Sequence, residues 1–88
     1  LDCAILMAIY SSLKNKPLSG KIGIVGEIGL TGEIRPIPHI EKRGLEFKKR
    51  GFDGCIIPDK NKLDIPEFKT LKAKRIQDII TLYENDNL

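Results

Sequence analysis

The run Gly26-Glu27-Ile28-Gly29-Leu30-Thr31-Gly32-Glu33-Ile34-Arg35-Pro36-Ile37 constrains this chain more than any other segment, because its glycines and apolar flanks admit one local structure. Lys21 to Ile28 is rich in β-branched residues, Leu30-Thr31-Gly32 supplies a turn with a residue that tolerates positive φ, and Glu33 to Ile37 returns as a short strand. Pro36 confines that return to a sheet edge or a strand end, since it has no N–H to give a neighbour. The segment therefore predicts a β-hairpin.

The rest of the chain alternates around it. Leu1 to about Lys14 reads as a helix that is apolar nearly all round, so it is expected to lie between other elements and not on a surface. Asn15 to Gly20 breaks it. After the hairpin, Pro38-His39 leads into a helix from about Ile40 to Arg50, with Gly51 in the terminating position. Gly54-Cys55-Ile56-Ile57 predicts a short buried strand stopped by Pro58. A polar connection anchored by Leu63 and Ile65 leads to a strand over Phe68 to Ala73, and Ile76, Ile79, Ile80 and Tyr83 fall at helical spacing. Strands divided by helices predict an α/β (α+β) fold, a small mixed sheet with a β-hairpin and packed helices.

Eighty-eight residues make one small domain, and 41% hydrophobic with 31% charged residues is the balance of a globular one. The chain starts inside an apolar pattern with no initiator Met and, on this reading, no capping residue. Residues 1–88 are therefore expected to be a single domain truncated at its N-terminus. The longest apolar run, Cys3 to Tyr10, is far shorter than the roughly 20 residues a spanning helix needs, so no membrane partner is expected. Nor does it have the flanks of a signal peptide. Cys3 and Cys55 read as small core residues and not as a disulfide or metal pair. A cytoplasmic or organelle-matrix location follows.

No residue pattern here announces catalysis. Gly26, Gly29 and Gly32 are not followed by the Lys and hydroxyl of a phosphate-binding Walker loop, and the dinucleotide fingerprint is absent. His39, the only histidine, has no metal-spaced partner on its helix and reads as a helix-entry residue. Glu27 and Glu33 flank the turn without a basic or metal partner and read as solvent-facing. Catalytic, cofactor-binding and metal residues are accordingly expected to be none.

The second helix carries the one candidate binding surface. Ile40, Gly44 and Phe47 share one side of the helical wheel, while Lys42, Arg43, Lys49 and Arg50 occupy the other. Four cations on one face suit phosphate groups. They equally suit a solvated face, because Glu46 lies within reach of Lys42, Lys49 and Arg50 at three- and four-residue spacing. The net charge of +3 permits a polyanion partner without demanding one. The placement of Lys60, Lys62, Lys69, Lys72, Lys74 and Arg75 is not fixed by local pattern, and no exposed aromatic series suggests base stacking.

The hairpin run, followed by a helix and a strand ending Ile56-Ile57-Pro58, resembles the proteolytic domain of Lon. With Gly29, Glu33, Ile40-Glu41-Lys42-Arg43 and Gly51-Phe52, the closer resemblance is to the Lon-like C-terminal domain of the bacterial RadA (Sms) family. It runs over essentially the whole chain. An active Lon protease uses a Ser nucleophile and a Lys general base. Counted without gaps, the Lys position here holds Glu41, a carboxylate that cannot deprotonate a Ser as a Lys does. The Ser position falls before Leu1. A one-residue slip would bring in Lys42, but it would also turn the side chain by about 100° around the helix. The resemblance implies a noncatalytic scaffold, C-terminal in a parent that forms a homo-oligomeric ring, expected to be a hexamer. That parent would be a RecA-like ATPase acting on DNA in recombination and branch migration, with its ATP, Mg and zinc sites upstream. The resemblance also leaves open a fragment of a Lon-type Ser-Lys protease or of a ComM-like DNA-processing ATPase.

Overall fold

The computed structural model describes residues 1–88. The elements run α1 (Cys3–Lys14), β1 (Ile22–Ile24), β2 (Glu27–Ile28), β3 (Ile34–Arg35), α2 (Ile40–Lys49), β4 (Gly54–Pro58), β5 (Lys69–Ala73) and α3 (Ile76–Glu84). This is the α/β fold expected, resolved into two sheets: a parallel sheet in the order β1-β4-β5 and the antiparallel hairpin β2-β3.

The incoming arm of the hairpin is divided, which the sequence pattern does not reveal. β1 pairs with β4, and Val25 N still donates to Ile56 O at 2.9 Å. At Gly26 the chain turns away with φ 153, and a side chain there would bring Cβ within 2.7 Å of Ile34 Cγ2. Only glycine allows both the conformation and the approach. Beyond it, β2 runs beside Leu1-Asp2 on one side and β3 on the other, with Cys3 N donating to Gly26 O at 3.0 Å. Gly32 takes the positive φ expected of the turn, and β3 ends before Pro36.

β4 is buried along its whole length, as a central parallel strand must be when both sheet faces are covered. Its alternation separates two cores. Ile56 joins Cys3, Met7, Ile24, Ile34, Ala73, Ile79 and Tyr83 under α1 and α3. Cys55 and Ile57 face the other way, onto Ile65 and Phe68 with Phe47 and Leu63 beneath α2. Both cysteines are free and buried, and burial pushes each thiol up to about 11, so they act as inert core residues.

Two expectations about α1 are corrected. Asp2 is a capping residue: its Oδ1 accepts from Ala4 N at 2.8 Å and Ile5 N at 3.1 Å, satisfying donors that a helix start leaves open. Nor is α1 enclosed. Cys3, Met7 and Ser11 face the sheet, but Leu1, Ile5, Ile9 and Leu13 remain 55–80% exposed at four-residue intervals. The sheet offers only one side to a helix, so a helix that is apolar all round leaves its other side bare within residues 1–88.

The parallel pair β4-β5 needs a crossover, and residues 59–68 provide one without a helix. Ile65 is buried and Leu63 half-buried, as the sequence predicts. They press on Gly44, where an added Cβ would come within 2.8 Å of Leu63 Cδ2 and 2.9 Å of Ile65 Cδ1. A glycine inside a helix costs about 1 kcal/mol relative to alanine. Here it lets α2 settle directly onto the crossover.

Candidate nucleic-acid interface

Because Gly44 is the buried point of α2, the side opposite it must face water, and that side carries Lys42, Arg43, Glu46, Lys49 and Arg50, all exposed. The amphipathic pattern thus places the four predicted cations together on one open face. Arg50 Nε donates to Glu46 Oε1 at 2.9 Å, and this bond, followed by the charges of Arg50, Lys49 and Lys42, holds the Glu46 carboxyl below the usual carboxylate range. Lys42, Arg43 and Lys49 are in no ion pair. Lys48 lies on the flank and donates to the Pro66 carbonyl, so it serves the crossover and not the face.

At the N-terminal end of the face, Lys42, Arg43 and Glu46 border a groove of about 510 Å³ with Ile37, Pro38 and His39. His39 caps the helix in the left-handed conformation, φ 58, which fits its reading as a helix-entry residue. The backbone of Ile37 is tied to the crossover: Ile37 N donates to Asn61 Oδ1 and Asn61 Nδ2 to Ile37 O, both at 3.0 Å. A face of free cations beside a fixed backbone strip can meet phosphates electrostatically, but it has no aromatic ring for stacking on bases.

Glu41 stands exposed in the first turn of α2, where the positive end of the helix dipole favours a carboxylate. Glu33 is engaged locally. The N–H groups of Glu33 itself and Thr31, then the Thr31 hydroxyl, hold its carboxyl below the usual range. Gly26 packs against Ile34 and Cys3 instead of opening a phosphate cradle, and no three His, Cys, Asp or Glu side chains converge for a metal. No helix is long and apolar enough to cross a membrane.

Sequence pattern missed one grouping. Arg35, Lys60, Lys74 and Arg75, from three separate parts of the chain, line a second cleft together with Pro36. No local spacing could have signalled it, because strand pairing alone gathers these residues.

Comparison with known proteins agrees with the resemblance read from Gly26–Ile37. Residues 2–86 match the Lon protease (S16) C-terminal proteolytic domain family. The chain is similar to "DNA repair protein RadA" of Haemophilus influenzae, 37% identical over 86 residues, covering 96% of this chain and 19% of that protein. To the protein of the same name in Escherichia coli K12 it is 36% identical, with the same coverage. To that of Streptococcus pyogenes serotype M1 it is 49% identical over 70 residues, 76% of this chain and 15% of the relative. The chain thus spans about a fifth or less of the length of these relatives.

Proposed function

The chain belongs to the Lon protease (S16) C-terminal proteolytic domain family, and we propose that within it residues 1–88 form a noncatalytic scaffold of a RadA-type DNA repair protein. The scaffold supports assembly of subunits into a ring and touches duplex DNA through its phosphates. The observation that supports it is Glu41, which, counted without gaps from the hairpin run, falls where the resemblance puts the Lys general base of an active Lon protease. A carboxylate there offers no route to a neutral amine that could take a proton from Ser. The exposed Lys42, Arg43 and Lys49 support the DNA contact, since free cations on one face bind polyanions without reading bases. The bare apolar side of α1 supports assembly, since such a face belongs against protein and not water.

On this reading the full polypeptide is a ring-forming ATPase of the bacterial cytoplasm that promotes branch migration during recombination, and ATP, Mg and zinc are held outside residues 1–88. The test of the noncatalytic role is hydrolysis of unfolded casein or a fluorogenic peptide by the full polypeptide, with and without a serine-directed inhibitor. The expected result is no inhibitor-sensitive turnover; turnover abolished by the inhibitor would replace the scaffold with a Lon-type peptidase. Assembly is read by sedimentation equilibrium of the same protein, which should exceed the monomer mass. A monomer over a wide concentration range would remove the ring.

A further inference from the structure

The parallel sheet has two outer strands and guards only one of them. β5 carries exposed Lys69 and Lys72, and the chain just beyond it is tied to the hairpin, where Ile34 N donates to Lys74 O at 2.8 Å. Charge on an outer strand and a covering partner both discourage pairing with another chain. β1, at the opposite edge, has neither. It reads Ile22-Gly23-Ile24, with no charge and no proline, in continuous register with β4.

The backbone of β1 is half used. Asp53 N donates to Lys21 O at 2.8 Å and Val25 N to Ile56 O at 2.9 Å, so the odd-numbered residues turn their N–H and C=O groups toward β4. The same groups of Ile22 and Ile24 point off the sheet, where nothing within residues 1–88 bonds to them. An apolar cleft of about 240 Å³ opens along this edge and draws its lining from both faces of the sheet. Ala4, Leu18, Ile22 and Ile24 come from the side of α1. Phe47 and Phe52 come from the side of α2, their rings edge to face with centroids 5.0 Å apart. Between them, Gly23 lets Phe47 lie directly on the strand, since an added Cβ would come within 2.6 Å of the ring. A strand laid beside β1 sends successive side chains to opposite faces. Each would enter an apolar half of the cleft, while its backbone meets the four open groups of Ile22 and Ile24.

The occupant follows from size. β1 offers three residues, so a second copy pairing through it alone would bury far less than the roughly 1,000 Å² that a stable contact between proteins needs. A segment of the same polypeptide is held at high effective concentration and does not need that area. The match covers 19% of each of two relatives, which leaves most of their length outside it. Backbone entering at Leu1 also arrives close by, because Cys3 N donates to Gly26 O at 3.0 Å, two residues beyond β1. We propose that an extended segment of the full polypeptide upstream of Leu1, with apolar residues at alternate positions, adds to the open edge of β1 as a fourth strand. The proposal rests on reading residues 1–88 as part of a longer RadA-type protein, and on neither DNA contact nor ring assembly.

The test is hydrogen exchange of the full polypeptide, resolved to single amides by fragmentation mass spectrometry, at several protein concentrations. The amides of Ile22 and Ile24 should exchange as slowly as that of Gly23, on the order of a hundredfold or more below unstructured amides, with no change on dilution. Exchange at the rate of exposed amides overturns the proposal. So does protection that disappears on dilution, which would assign the edge to a second copy. Neither result touches the scaffold reading, which the peptidase and sedimentation measurements decide separately. Pairing is told from mere coverage by Ile22→Pro, which removes a donor that β4 does not use, at the first residue of a strand, where proline is tolerated. Ile22→Pro should melt below Ile22→Ala and release the Ile24 amide. Equal melting with Ile24 still protected would show an edge covered without a fourth strand, and overturns the proposal.

Discussion

α1 and α2 cover opposite faces of one sheet and turn opposite chemistry outward. α2 seals its inner side with Gly44 and Phe47 and presents lysines, arginines and Glu46 to water, where charged groups need nothing further. α1 buries Cys3 and Met7 more completely than α2 buries Phe47, yet leaves Ile5, Ile9 and Leu13 bare on the other side. A charged stripe is complete in solvent, whereas the apolar stripe of α1 leaves hydrophobic surface in water within residues 1–88.

The sharpest difference in stability should lie on the inner faces. Met7→Ala removes a fully buried side chain and should cost about 2–5 kcal/mol in urea unfolding, whereas Phe47→Ala, at a half-buried site, should cost less despite the larger deletion. Equal losses would mean that the two helices are seated equally deeply. Next in size is Gly44→Leu, whose side chain must displace Leu63 and Ile65 and should cost about 1–3 kcal/mol. Gly44→Leu that stabilises, by removing a helical glycine, would show that α2 does not rest on the crossover. The smallest effect concerns the outer face of α2. The carboxyl of Glu46 titrates below its usual range, so its contribution is present above the ordinary carboxylate pKa and is lost as pH falls through the depressed folded value. Glu46→Gln should therefore melt slightly below the unsubstituted protein near neutral pH and coincide with it in acid. A difference that grows in acid would contradict the ion pair with Arg50.

The legibility of the two helices differs for the same physical reason. In α2 the polar and apolar residues segregate, so sequence periodicity places Gly44 inward and Lys42, Arg43, Lys49 and Arg50 outward without help from the sheet. α1 has no such contrast, and only packing decides that Met7 is inside and Ile9 outside. Asp2 as cap follows from an ordinary rule of helix starts, but it stands one residue into the chain, where the apolar pattern masks it. The strand from Ile22 to Ile28 is legible as strand, but propensity does not name a pairing partner, so its division at Gly26 is not. The corner that gathers Arg35, Lys60, Lys74 and Arg75 is a product of long-range pairing and has no local signature.

We propose that the outward cations of α2 touch DNA phosphates and are not merely solvated. This is tested most directly by the slope of log affinity against log salt for a labelled duplex bound to the full polypeptide and to Lys49→Glu/Arg50→Glu, with assembly checked by sedimentation. The expected result is weaker binding to every duplex sequence and a slope flattened by about 0.9 for each phosphate that is no longer neutralised. Unchanged affinity and slope in an intact assembly would contradict it.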